Sequence, residues 1–178
     1  MGKFQSTKIF DNYTIALRQW KSQHSHCQFL HGYALEFKVW FEPNDVTDND
    51  GLDEMNWVVD FGGFKDKPVG NGLKAWMNEM FDHTMLVEKD DPYVDVLEQM
   101  GSMGIGVAKV HVLDRLGAEA MAKLVYDKFN DVLSKTDAAR CKVVKVECNE
   151  NNKRRGLVRF ILHFNPPRKR NIYISRHY

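Results

Sequence analysis

Cys27-Gln28-Phe29-Leu30-His31-Gly32-Tyr33 runs directly into Ala34-Leu35-Glu36-Phe37-Lys38-Val39-Trp40-Phe41, and the second half of this stretch decides the fold. Tyr33, Leu35, Phe37, Val39 and Phe41 alternate with Ala34, Glu36, Lys38 and Trp40, which is the period of a half-buried strand. His31 and Tyr33 are two apart, so on a strand their side chains share a face. Gly32 between them permits close backbone approach or an unusual dihedral. A thiol four residues before an imidazole offers a base or nucleophile beside a metal ligand. Taken alone, Cys27 reads more simply as a small buried hydrophobe and His31 as a satisfied surface or core residue.

Working outward, residues 4 to 17 predict a first strand, bulged near Asp11-Asn12. Residues 18 to 30, with His24-Ser25-His26, form a polar loop of the kind that carries function when a scaffold fixes its ends. Residues 43 to 54 read as a polar turn, and Trp57 to Phe61 as a short strand or an entry into helix. Leu73 to Phe81 places Leu73, Trp76, Met77 and Met80 at helical spacing, with Asp82-His83 directly after. A second short helix is expected over Pro92 to Met100, and a strand over Ile105 to Leu113.

Gly117 to Leu133 is the clearest helix, with Met121, Leu124, Val125, Phe129 and Val132 on one stripe and Glu119 in its first turn. Arg140–Asn149 and Gly156–Phe164 predict a hairpin through the polar turn 150–155. Two strand pairs flanking a helical layer, with one extra short strand between the helices, make the class α+β, an antiparallel four-stranded sheet with helices on one face. The other face must be buried elsewhere, which points to a homo-oligomer.

Composition fits this reading. The 178 residues are 43% apolar and 28% charged, ordinary for one globular domain. We place that domain at 1–164 and treat 165–178, with Arg168-Lys169-Arg170, as a solvated basic tail. A net charge of +1 gives no general case for nucleic acid or a membrane surface. No apolar run approaches the ~20 residues of a membrane span. Three widely spaced cysteines and no signal-peptide pattern predict reduced thiols and a cytoplasmic protein.

The segment Cys27-x3-His31-Gly32-Tyr33 resembles the C-x3-H-G-H segment of the 6-pyruvoyl- and 6-carboxytetrahydropterin synthases. Further matches follow in order over roughly residues 8 to 150: Val58-Val59-Asp60-Phe61, Asp82-His83 with Leu86, Glu119, and Val144-Lys145-Val146-Glu147. The resemblance implies a tunnelling fold of ββααββ order, subunits assembled into a barrel (most simply a hexamer), and active sites between neighbours. It implies a lyase acting on a dihydroneopterin triphosphate-like pterin. Cys27 would be the base, Asp82 would orient His83 as the second acid–base group, and Glu147 would anchor the pterin through its two acceptor oxygens.

In that family a zinc ion held by three His polarises the substrate side chain. This sequence departs there. Leu17 stands where the first His belongs and Tyr33 where the third does, leaving His31. The three-His site is therefore expected to be absent, with Tyr33 serving as a hydrogen-bonding group in the pocket. A displaced zinc site would need His24 and His26 with His31. The family's Thr before the helix-opening acid is replaced by Gly117. The rival reading is a catalytically silent pterin- or purine-binding oligomer that kept the pocket and lost the metal; a metal-independent, aldolase-like cleavage of a related pterin is a third.

Overall fold

The alternating run lies at the centre of the sheet. The computed structural model describes residues 4–44, 48–64, 72–103, 106–136, 140–151 and 154–159. In it, β1 (Ser6–Leu17) pairs antiparallel with β2 (His31–Pro43). Phe10 pairs with Phe37 and Tyr13 with Leu35, so β1 carries one extra residue between those pairs, where Asn12 takes a φ of 64°. The expected bulge thus sits at Asp11-Asn12. It switches the parity of β1: Phe10 on one side of it, and Tyr13, Ile15 and Leu17 on the other, all turn inward and are buried.

Along the chain follow α1 (Leu73–Phe81), β3 (Thr84–Glu88), α2 (Val94–Ser102), β4 (Lys109–Leu113), α3 (Ala118–Ser134), β5 (Cys141–Asn151) and β6 (Arg154–Arg159). The sheet has six strands in the order β4-β3-β1-β2-β5-β6. β2–β5 and β5–β6 are antiparallel, whereas β1–β3 and β3–β4 are parallel. This corrects two expectations. The sheet is mixed and six-stranded, not antiparallel and four-stranded, and a β–α–β unit interrupts the two-strand, two-helix, two-strand order.

The missed strand, β3, is the cause. Thr84-Met85-Leu86-Val87 are all buried, so the segment has no polar face and shows no alternation. Trp57–Phe61 is neither strand nor helix: the backbone is irregular there, although Val58 and Val59 enter the core. The strand expected from Ile105 begins at Lys109. The basic tail and the end of the expected last strand lie outside the described residues.

α3 and α1 cover the face formed by Phe10, Tyr13, Leu35, Phe37, Val39 and Phe41. Phe129 of α3 meets Phe10 edge-on at 5.4 Å, and Phe64 lies 5.5 Å from Phe41 and 6.1 Å from Phe129. Such pairs add roughly 0.5–1.5 kcal/mol each beyond area burial. Among the described residues no helix is long and apolar enough to cross a membrane.

The start of α3 is wedged against β6. A Cβ on Gly156 would come within 2.5 Å of the Ala118 carbonyl carbon and 2.6 Å of the Glu119 nitrogen. Backbone cannot yield as a side-chain tip can. Gly156→Ala is therefore expected to destabilise the protein by about 1–3 kcal/mol, the usual cost of overpacking, measured as a lower midpoint in urea denaturation. An unchanged midpoint would contradict this packing.

Candidate functional site

Cys27 lies on a short 3-10 turn, His26–Gln28, inside the loop that joins β1 to β2. Its N–H is bound by the Ser25 hydroxyl at 3.2 Å, and its carbonyl accepts the Gln19 N–H at 2.8 Å. The thiol residue is half-buried. The loop's entry is gripped by the turn after β3. Arg18 donates from Nε and Nη2 to the two oxygens of Asp91 at 2.7 and 2.6 Å, and Trp20 Nε1 and Lys21 Nζ donate to Asp90 at 3.2 and 2.5 Å. The Arg18 hydrogen bonds hold the Asp91 carboxyl below its usual range despite burial. Sequence reading missed Arg18 and Asp91, because partners 73 positions apart carry no local signal.

His31 opens β2 directly opposite Leu17, and Tyr33 follows opposite Ile15. The His31 and Tyr33 rings meet edge-on, 4.9 Å between centroids. His31 Nδ1 lies 2.7 Å from the Phe29 carbonyl. A carbonyl only accepts, so Nδ1 carries the proton and Nε2 is left as an acceptor. That Nε2 is buried without a hydrogen-bond partner.

The three strand positions that the zinc reading requires do converge, but the donor set does not fit a metal. Leu17, 1% exposed, places hydrocarbon against His31, and a tridentate zinc site cannot be made from one imidazole and a neutral phenol. His24 and His26 are exposed on the loop. Among the described residues no three His, Cys, Asp or Glu side chains group closely enough to hold a metal ion.

Asp82 caps α1 at its C-terminus, and its Oδ1 lies 2.8 Å from His83 Nδ1. The carboxylate accepts, which leaves the His83 Nε2 face directed to solvent; the side chain is 82% exposed. His83 has a φ of 56°, a left-handed conformation that costs a bulky residue energy and recurs at functional sites. Tyr13 lies within electrostatic reach of this pair. Its phenol is pushed up to about 12, first by burial and then by the charges of Asp82 and Asp11, and it accepts a hydrogen bond from Lys74 at 3.2 Å. Tyr13 and Lys74 escaped sequence reading because both fit a core-and-surface pattern.

Glu147 stands elsewhere. It pairs in register with Lys38, on the sheet face away from α3. Lys38 is seven positions along β2 from His31, roughly 23 Å at strand spacing. Its carboxylate is bonded to Lys145 Nζ at 2.6 Å, and that ammonium lies 4.1 Å from the Trp40 ring centroid. One chain therefore does not bring Glu147 to His31 and Tyr33. Glu119 sits at the start of α3 beside the loop: a Cβ on Gly117 (φ 108°) would lie 3.0 Å from Gln19 Nε2. A cavity of about 420 Å³, lined by Phe4, Trp57, Asp60 and Phe61 among others, contains none of Cys27, His83 and Glu147.

Comparison with known proteins gives this geometry its setting. The 6-pyruvoyl tetrahydropterin synthase family model matches residues 7–159. The chain belongs to the 6-pyruvoyl tetrahydropterin synthase family. It is 31% identical over 125 residues to the 6-carboxy-5,6,7,8-tetrahydropterin synthase of Aquifex aeolicus, covering 67% of each chain. Its fold is shared by an uncharacterised protein of Wolinella succinogenes, with a TM-score of 0.68 at 18% identity, over 89% of this chain and 99% of the other. The 6-pyruvoyl tetrahydropterin synthase of Caenorhabditis elegans aligns with a TM-score of 0.54 at 15% identity, over 89% and 96%.

In this pterin synthase family member the three thiols differ sharply. Burial pushes Cys141 up to about 11 and Cys148 well above its ordinary value, the latter also through Glu150 and Glu119. At neutral pH a thiol reagent is expected to modify Cys27 alone in the native protein, and all three cysteines after denaturation. Both buried thiols titrate above the ordinary 9.0. Their contribution to stability is thus intact below that pH and declines as pH rises through about 11. Fast modification of more than one thiol in the native state would contradict this burial.

Proposed function

We propose that the protein is a metal-independent pterin enzyme, acting on a dihydroneopterin triphosphate-like substrate by acid–base chemistry at a site completed by a neighbouring subunit. The observation that carries this is the Asp82–His83 hydrogen bond, 2.8 Å long, on an exposed ring whose backbone is held in a left-handed conformation. Asp82 sets the tautomer, so His83 Nε2 is free to give or take a proton. Cys27, as thiolate, removes a carbon-bound proton from the substrate side chain, and His83 handles the proton at the neighbouring oxygen. Tyr33 and His31 offer hydrogen bonds to the substrate hydroxyls. Glu147 of an adjacent copy receives the amino-pyrimidine edge, for which its ion pair with Lys145 must open. Cysteines that form no disulfide suit a reducing cytoplasm.

A second reading keeps the pocket and drops the chemistry. The Glu147–Lys145 ion pair and the apolar Leu17 favour it. Turnover of dihydroneopterin triphosphate by dialysed protein separates the two. The enzyme reading expects turnover with substoichiometric metal, and Cys27→Ala and His83→Ala each lowering kcat about 10²-fold or more, the usual contribution of a general acid or base. Pterin binding by calorimetry without turnover would establish the silent module. Stoichiometric zinc that vanishes in a His24→Ala, His26→Ala variant would overturn the metal-free reading.

Because Glu147 and the His31–Tyr33 pair face opposite sides of one sheet, a complete site needs more than one chain. Light scattering is expected to give an oligomer, a hexamer on this reading, at micromolar concentration. A monomer under those conditions would remove Glu147 from the site.

A further inference from the structure

We infer that Arg18 and Asp91 are positioning residues for Cys27: the ion pair between half-buried Arg18 and buried Asp91 fixes the loop whose backbone holds the thiol. The inference rests on the reading of Cys27 as the base. Asp91 is 2% exposed, and a carboxylate is costly to bury unless its oxygens are filled. Here they are: Arg18 forks across both at 2.7 and 2.6 Å, and the Tyr93 N–H reaches Oδ1 at 2.8 Å. The guanidinium also lies over the Tyr93 ring, 5.2 Å from its centroid. Next to it, Asp90 takes Trp20 and Lys21, and Lys21 is 3.6 Å from Glu88.

Gln19 lies between the two anchored residues Arg18 and Trp20, and its N–H is the donor to the Cys27 carbonyl. With the Cys27 N–H on Ser25 Oγ, the peptide groups on both sides of Cys27 are held, leaving the side-chain torsion as the main freedom of the sulfur. No residue from 18 to 30 is buried, so apolar packing does not anchor this loop. Polar contacts to the turn after β3 do. An ion pair whose carboxylate is buried is also a poor choice for stability alone, since apolar residues of similar volume often serve as well or better. What the bidentate geometry supplies is direction. The same β3 begins directly after His83 and ends at these acids, so one short strand sets the position of His83 and of the Cys27 loop together.

The test compares wild type with Asp91→Asn, Asp91→Glu and Arg18→Lys. Three quantities are measured: the pH–rate profile of Cys27 alkylation by iodoacetamide, assigned by mass spectrometry; kcat and KM for the pterin; and the melting temperature. Expected for Asp91→Asn and Arg18→Lys is alkylation faster by about threefold or more as the thiol loses its fixed surroundings. Expected too is a kcat lower by about 10- to 100-fold, as for a misplacement near 1 Å, with KM changed much less; Asp91→Glu recovers part of both.

A lower melting temperature with an unchanged alkylation profile and unchanged kcat would show a merely structural pair and overturn the inference. Should Asp91→Asn not fold, Trp20→Phe removes one contact of the same grip, and the same readouts decide. Wild-type turnover by Cys27→Ala would refute the parent reading of Cys27 as base, while the alkylation profile would still decide whether the clamp positions that residue.

Discussion

Everything in this molecule hangs on the register of β1 against β2. Pairing Phe10 with Phe37, Tyr13 with Leu35 and Leu17 with His31 puts the large apolar side chains of both strands on the face that α1 and α3 cover. A slip by one residue would turn the whole set outward. The extra residue at Asp11-Asn12 makes this register possible, because Phe10 and Tyr13 have opposite parity in sequence and could not otherwise share a face. The same ladder sets Leu17, His31 and Tyr33 side by side at one end of the sheet.

That end is where this chain parts from the three-His pattern. The backbone positions for the three ligands remain together, yet one is hydrocarbon and one is a phenol. His31 keeps a fixed tautomer and a buried acceptor nitrogen without a partner, a group that costs about 1–3 kcal/mol when left unsatisfied. On the proposed reading, the polar work at this end falls to Tyr33, His31 and the Asp82–His83 pair.

The β3–α2–β4 unit extends the sheet beyond β1 and has a consequence for the loop before β2. It carries Glu88, Asp90 and Asp91 to the side of Arg18, Trp20 and Lys21. At the other side of the sheet, Glu147 looks away from α3 and is neutralised by Lys145. The residues expected to act together are thus divided between two faces, and the proposed function has them meet by association of copies.

Much of this was open to reading from residues alone. The alternation from Tyr33 to Phe41, the helical stripes ending at Phe81 and Leu133, and the bulge at Asp11-Asn12 are local properties: backbone periodicity and a parity change record which side chains are buried. The Cys27, Asp82-His83 and Glu147 motifs, and the loss of two zinc positions to Leu17 and Tyr33, are likewise matters of residue identity. Other features were decided only by tertiary structure. Thr84–Val87 shows no period because both of its faces are buried, so neither the strand nor the parallel extension was legible. The grip of Asp91 on Arg18 spans the chain and leaves no local trace. The placement of Glu147 on the far face depends on strand order and on the unpaired Val144 between Lys145 and Val143, which no motif encodes, because a motif names side chains while the pleat and the register of neighbouring strands determine where they point.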